Sequence, residues 1–372
     1  MLCTLSRGVK NFVKLKVAVI GGGNGAFATS ADLALNDHDV TMYNRSPEKL
    51  ELVHRRGGIN AIVEGRAQFA SKINVAKKIG DAVSGAEVVV VAVPTTAHAY
   101  YAELLEPWTR EDQTILLNPG HTGGALEFRN CIRTINPNAK FALCETMTLT
   151  YITRLSDSGT IQIFRKSKNV LYASLPAGRN SKVEALFPNL TLARNVLETS
   201  MSNINAICHP PGMIMNAGWV EHTKGSFLFY QEGFTPSVAR VTEAVDRERV
   251  EIMQKMKLKP LRFVDLFYSI GSTTNNEGGV YEAMRSSEPN KTIMAPASLD
   301  SRYIHEDIGH GLVPMTEFGK IAGVATPIMN GLITLASKIN SVDYWTQGRS
   351  SKKLGIEGMD MERLLSFVTT TA

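Results

Sequence analysis

Val17-Ala18-Val19-Ile20 runs directly into Gly21-Gly22-Gly23-Asn24-Gly25-Ala26, and this junction decides the fold of the N-terminal half. The apolar, β-branched run predicts a buried strand, and Ala26 to Leu35, without Pro or Gly, predicts a helix. The glycines fall at the turn with the spacing Gly21-x-Gly23-x-x-Ala26. Gly21 permits the tight turn, Gly23 lets a pyrophosphate approach the backbone, and the small Ala26 lets helix and strand pack closely. The free amides at the helix N-terminus, Asn24 and Gly25 among them, then hold the phosphate. On its own GxGxxA is a weak motif; between a strand and a helix it identifies a dinucleotide site.

Outward from this turn, strand and helix patterns alternate. Val40 to Tyr43, Ala86 to Val93, Thr114 to Leu117 and Phe141 to Cys144 are further strand candidates. The five valines of Ala86–Val93 suit a strand buried on both faces of a parallel sheet. The pattern predicts an α/β fold with a Rossmann, doubly wound N-terminal sheet. From about residue 190 the texture becomes helical. Thr235 and Pro236 open a helix as N-cap and first-turn proline, and Val238, Val241, Val245, Ile252 and Met256 then form one apolar stripe. A chain of 372 residues exceeds what one core sustains, so the expected units are 1–190, binding the dinucleotide, and 191–372, helical and binding substrate.

Composition excludes several classes. Apolar residues at 44% and charged residues at 20% are those of a globular protein. No run approaches the roughly 18–20 apolar residues of a membrane span. The first fourteen residues, with Arg7, Lys10 and Lys14, read as a short tail without signal-peptide features. Cys3, Cys131, Cys144 and Cys208 show neither disulfide nor zinc spacing, which points to the cytoplasm and to no metal. Net charge is +5 and scattered, so nucleic acid is not expected as a partner. The densest late cluster, Arg349-Ser350-Ser351-Lys352-Lys353, reads as a solvated loop. Oligomeric state stays open, a homodimer being one option.

At the end of the second strand, where an NAD site usually carries a carboxylate, the chain has Asn44-Arg45-Ser46. Arg45 can pair with a 2′-phosphate, and Asn44 and Ser46 can hydrogen-bond it. This favours NADP(H), with NAD(H) as the alternative if Arg45 only stacks on the adenine or faces solvent. Two further stretches carry chemistry in the helical half: Asn205-Ala206-Ile207-Cys208-His209-Pro210-Pro211-Gly212, and Arg302 through Ile308. Spacing alone does not bring His209 and Asp307 together. His305 and His310, five apart, do not have metal-ligand spacing.

These motifs resemble those of the octopine/nopaline (opine) dehydrogenase family over nearly the whole chain. They are the GGGNGA turn, Val91-Ala92-Val93-Pro94 with Ala97-His98, Leu117-Asn118-Pro119-Gly120, Glu145-Thr146, Asn205 with His209-Pro210, and Arg302 with His305-Glu306-Asp307-Ile308. The resemblance implies a Rossmann domain, a helical domain and a substrate cleft between them. It also implies an NAD(P)H-dependent condensation of an amino acid or amine with a 2-oxo acid such as pyruvate, through reduction of an imine.

Residue types fit that chemistry. His209 would donate the proton, since imidazole can be charged near neutral pH. Asp307 would fix its tautomer and stabilise the imidazolium, and Arg302 would grip a substrate carboxylate with its planar fork. Val93 and Pro94 would lie along the cofactor. Asn118, Glu145 and Thr146, at strand ends where ligands collect, and Asn205, one helical turn before His209, would line the substrate. Two rivals remain: a carbonyl reductase of the ketopantoate reductase or glycerol-3-phosphate dehydrogenase type, and a non-catalytic NADP(H) sensor.

Overall fold

The computed structural model describes residues 14–370. The tail expected over the first fourteen residues, Lys14 apart, lies outside them, as does Cys3. The strands are β1 (Lys16–Ile20), β2 (Asp39–Tyr43), β3 (Gly58–Val63), β4 (Arg66–Ser71), β5 (Ile73–Val75), β6 (Val88–Val91), β7 (Thr114–Leu117), β8 (Ala142–Thr146), β9 (Tyr151–Leu155), β10 (Thr160–Lys166), β11 (Val170–Leu175) and β12 (Leu190–Leu192). Eight of them form one sheet in the order β12-β11-β8-β7-β6-β1-β2-β5. It is parallel from β5 to β8, and β11 then runs antiparallel to β8 with β12 parallel beside it.

The valine run is buried on both faces, as its composition predicts. Val88 and Val90 join Val17, Val19 and the helix α1 (Asn24–Leu35) in one cluster. Val89 and Val91 point the other way, into the cluster that continues through the helical half. The first turn carries α1 from the end of β1 back over the sheet.

A second sheet was not legible in the sequence. Its order is β4-β3-β10-β9, and it covers the far side of α1. Five of the six β4 residues are exposed, so that strand lacks the alternation that would reveal it. A local clue exists in Glu64-Gly65: both residues have positive φ, the conformation that a two-residue hairpin turn demands.

Helices follow from Val196 onward, after the last strand ends at Leu192. The helix Pro236–Lys255 begins as expected, with the Thr235 hydroxyl accepting from the Val238 amide. Val238, Val245, Ile252 and Met256 are buried along it, while Val241 is half-buried. Among the described residues no helix is long and apolar enough to cross a membrane.

One expectation needs correction. Arg349 is not in a solvated loop; it is wholly buried in the first half of the chain. Its Nε donates to Glu127 Oε2 at 2.6 Å, and the rest of the fork reaches the carbonyls of Gly120, Thr122 and Thr95 and the His98 ring. A guanidinium is tolerated in the interior because its donors are matched. Lys352 and Lys353 do remain exposed. The tie fastens the C-terminal segment to the ends of β6 and β7.

Candidate active site

The glycine turn has the shape its sequence requires. Gly21 holds φ at 138°, its amide donates to the Tyr43 carbonyl at 2.8 Å, and a Cβ there would fall on the Ala92 carbonyl. Gly23, the N-cap of α1, has open space where a Cβ would stand, and no side chain caps the helix. Those amides are therefore free for an anion, and the residues fit a dinucleotide pyrophosphate. Ala26 is fully buried beneath Gly21. Asn24 accepts from the Leu155 amide at 2.9 Å, tying the turn to β9. Val93 is buried at the neighbouring strand end, followed by Pro94.

At the ribose end, Asn44 packs against Gly22 and donates to the Ser46 carbonyl at 3.0 Å. Arg45 is exposed, with its guanidinium 5.3 Å from the centroid of the Tyr100 ring. The aromatic face holds the cation in place without consuming its donors, which leaves the fork able to meet an anion.

In the helical half the structure brings His209 and Asp307 together across 98 positions. Nδ1 of His209 lies 2.7 Å from Asp307 Oδ2, and both side chains are almost fully buried. Nδ1–H donates to the carboxylate, which fixes the tautomer and supports an imidazolium. The other ring nitrogen, Nε2, lies 2.8 Å from the Tyr230 hydroxyl. Tyr303 stacks on the imidazole, ring centroids 3.8 Å apart and planes 3° from parallel. The helix Ile204–Ile214 carries His209 through two prolines, Pro210 and Pro211. Prolines remove two ladder bonds, and burial of every residue but Asn205 compensates. Gly212, one turn beyond His209, is what lets Phe229 close on it, for a Cβ there would stand 2.6 Å from the Phe229 ring.

Arg302 begins the helix Arg302–Asp307, with its side chain largely exposed and its Nε 3.3 Å from Glu306 Oε2. Glu306 is buried and accepts from the Thr95 amide at 2.7 Å, joining the two halves at the end of β6. Burial pushes its carboxyl up, but His121, Arg302 and the Thr95 amide together hold it below the usual range. His121 is buried among Glu306, Asp307 and Arg302; burial pushes its imidazole down against the pull of those carboxylates. No sequence motif gives a role to His121, Tyr230 or Glu306. A glycine-flanked histidine at a strand's end was a usable signal; Tyr230 offered none. His305 faces elsewhere, between Asp300 at 2.7 Å and the Tyr344 hydroxyl at 2.6 Å.

A cleft of about 940 Å³ opens between Asn24, β9 and β10 on one side and residues 288–293 and Tyr303 on the other. The side chains expected along the substrate divide. Asn205 is half-buried one turn before His209. Asn118, Glu145 and Thr146 are wholly buried, with their polar atoms given to internal partners. Asn118 donates to the Thr150 hydroxyl at 2.9 Å and accepts from Thr146 Oγ1 at 3.2 Å. Glu145 accepts from the Ala125 amide at 2.7 Å and lies 2.5 Å from Thr199 Oγ1.

Burial raises the Glu145 carboxyl to about 7, opposed by Thr199 and the Ala125 amide. When protonated it can donate to Thr199, whose own hydroxyl is 3.0 Å from the Val196 carbonyl. A carboxyl raised on folding contributes stability that is complete below about pH 4.5 and is lost as pH rises through 7. Melting temperature should therefore fall between pH 5 and 8, and Glu145→Gln should flatten that fall. An unaltered pH dependence in the variant would refute the assignment.

Residues 192–340 match the family model for the NAD/NADP octopine/nopaline dehydrogenase alpha-helical domain. Residues 16–121 match that for the NAD-dependent glycerol-3-phosphate dehydrogenase N-terminus. The opine dehydrogenase of Arthrobacter sp. (strain 1C) is 32% identical over 355 residues, covering 94% of this chain and 98% of that protein. The octopine dehydrogenase of Pecten maximus is 23% identical, covering 91% and 94%. Among solved structures, octopine dehydrogenase with NADH and L-arginine superposes with a TM-score of 0.78 at 21% identity, covering 96% of this chain and all of that one. Yersinopine dehydrogenase with NADP+ gives 0.74 at 12% identity, covering 95% and 98%. With a helical domain of that type, a Rossmann half before it and full-length similarity to a curated member, the chain belongs to the opine dehydrogenase family of NAD(P)-dependent oxidoreductases.

Proposed function

We propose that this enzyme joins the amino group of an amino acid or amine to a 2-oxo acid such as pyruvate and reduces the resulting imine, acting on a CH–NH bond. The observation that carries this reading is the buried His209–Asp307 dyad at 2.7 Å, with Tyr303 stacked on His209 and lining a cleft that Asn24 of the glycine turn also borders. Residues 1–190 supply the cofactor site and 191–372 the proton donor and carboxylate anchor. Gly21–Ala26 would hold the pyrophosphate and Val93-Pro94 would lie along the cofactor, which when bound would supply the hydride. Net reaction of an ammonium donor with the oxo acid consumes one proton, which leaves in the expelled water, and His209 is the group equipped to give it. Arg302, exposed at the helix start, can turn its fork to the oxo-acid carboxylate. Arg154, Arg165 and Lys291 outnumber the one carboxylate of the cleft lining, Glu288, which pairs with Lys291, and this suits substrates that carry two carboxylates between them. Octopine dehydrogenase has been solved with pyruvate and with L-arginine, at 21% identity to this chain. Asn205 remains our candidate for a substrate contact. Asn118, Glu145 and Thr146 act in this reading by holding the strand ends in position.

The testing experiment is a cross-screen of NADPH oxidation, with pyruvate, glyoxylate, oxaloacetate or 2-oxoglutarate against the amino acids and simple amines. Turnover that needs both partners supports the reading. Oxidation with the oxo acid alone would turn it into a carbonyl reductase, and no turnover with tight cofactor binding into a sensor.

We further propose NADPH as the preferred cofactor, on the basis of Arg45 and the absence of a carboxylate at Asn44-Arg45-Ser46. Arg45→Asp should reverse the ratio of kcat/KM for NADPH over NADH, since a carboxylate repels the 2′-phosphate and binds the ribose hydroxyls. Native efficiency with NADH at least equal to that with NADPH would overturn this preference.

A further inference from the structure

We infer that Arg154, on β9 of the second sheet, reaches over the glycine turn and pairs with the pyrophosphate of the bound dinucleotide. This rests on the reading of Gly21–Ala26 as the dinucleotide site. The Leu155 amide donates to Asn24 Oδ1 at 2.9 Å, so β9 abuts the first residue of α1. That bond holds the Arg154 Cα within about 5.5 Å of Asn24 Oδ1, and an extended arginine side chain spans roughly 7 Å. The amides at the start of α1 are therefore within its reach. Arg154 and Asn24 line the same cleft. Arg154 is exposed, and among the described residues it has no hydrogen-bond or ion-pair partner. The one carboxylate of the cleft lining, Glu288, is taken by Lys291.

The charge balance of the turn calls for such a group. A pyrophosphate linkage brings two negative charges, and the stretch Gly21–Ala26 contains no cation. The free amides and the helix dipole supply only about half a unit of positive charge, so most of the anion's charge is left to other groups. Of the cations already placed, Arg45 stands at the ribose end beside Tyr100, and Arg302 is assigned to the oxo acid. Arg154 is the guanidinium that Asn24 ties to the turn itself. Its planar fork can span two phosphate oxygens, which the point charge of a lysine matches less well. The second sheet thereby gains a part in function. It packs over α1 and carries one cation to the phosphate site, leaving Arg165 to substrate carboxylates.

Arg154→Gln removes the charge, and Arg154→Lys keeps the charge but loses the fork. Dissociation constants are read for NADPH, NADH and adenosine 2′-monophosphate, which has a 2′-phosphate and no pyrophosphate. Melting temperature serves as the control for folding. In Arg154→Gln the constants for NADPH and NADH should rise by the same factor, about tenfold, the lower end for a charged hydrogen bond because the side chain is exposed. The constant for adenosine 2′-monophosphate should not move, and Arg154→Lys should bind both dinucleotides with intermediate strength. In ³¹P spectra of bound NADPH, the pyrophosphate resonances should shift in Arg154→Gln while the 2′-phosphate resonance stays. Native constants for both dinucleotides in Arg154→Gln overturn the inference. A loss confined to NADPH would give Arg154 to the 2′-phosphate instead, and a raised substrate KM with native cofactor binding would give it to the substrate; either overturns the inference too. Gly23→Asp tests the turn separately. Open space receives its side chain and aspartate is a favoured N-cap, so the fold is kept while the carboxylate takes the free amides and repels phosphate. If Gly23→Asp binds NADPH as the native chain does, the turn is not the site and the inference falls with that reading. If Gly23→Asp loses NADPH and Arg154→Gln does not, only the assignment of Arg154 falls.

Discussion

Alanine in place of His209 should lower kcat by about 10²–10⁴, the range that positioned acid–base groups contribute, while NADPH affinity stays near native. The proposed dinucleotide site is the turn that begins with Gly21, in the other half of the chain, so the two readouts separate. Asp307→Asn should also slow the enzyme. The amide cannot stabilise an imidazolium, and it can hold the ring in the wrong tautomer. Because the two groups sit 2.7 Å apart and act as one unit, the double variant should be little slower than His209→Ala alone. Multiplicative losses in the double variant, measured in a full kinetic cycle, would mean that the residues work independently and that the dyad must be abandoned.

The second large effect is expected at Arg302. Arg302→Lys keeps the charge and loses the planar fork, so the KM for the oxo acid should rise by about ten- to a hundredfold, the worth of a charge-assisted bidentate contact. Cofactor affinity should not move. Glu306, 3.3 Å away, is itself anchored on the Thr95 amide, so it can release the guanidinium to substrate without losing its own place. Native kinetics towards every oxo acid in Arg302→Lys would refute the carboxylate assignment.

Much of the cofactor half was legible because its signals are contiguous. The strand, the glycine turn and α1 occupy a single stretch, and each glycine answers a local demand of that turn. The both-faces burial of Val88–Val91 likewise follows from composition, since four consecutive valines cannot present a polar face to water. The second sheet was not legible. β4 pairs with β3 and packs over α1 through backbone hydrogen bonds and one buried alanine, and neither leaves a hydrophobic period behind.

The candidate site divides in the same way. The residue types at His209, Arg302 and Asp307 were readable, with the chemistry they can perform, because a proton donor, a fork and a carboxylate declare themselves by identity. Their meeting was decided by tertiary structure, since helices 98 positions apart in their key residues are joined only by long-range packing. The same holds for Tyr230, whose phenol is ordinary until it reaches Nε2 of His209, and for Arg349, whose neighbours in sequence suggest solvent. Glu145, Asn118 and Thr146 show the converse. Their positions at strand ends suit a ligand, yet folding surrounds them with internal partners that satisfy them first. By itself, then, the sequence determined which chemical groups this protein holds and how the dinucleotide turn is built. Only the tertiary structure decided which groups face one another, because a side chain's partners are set by the packing of segments that the chain order does not bring together.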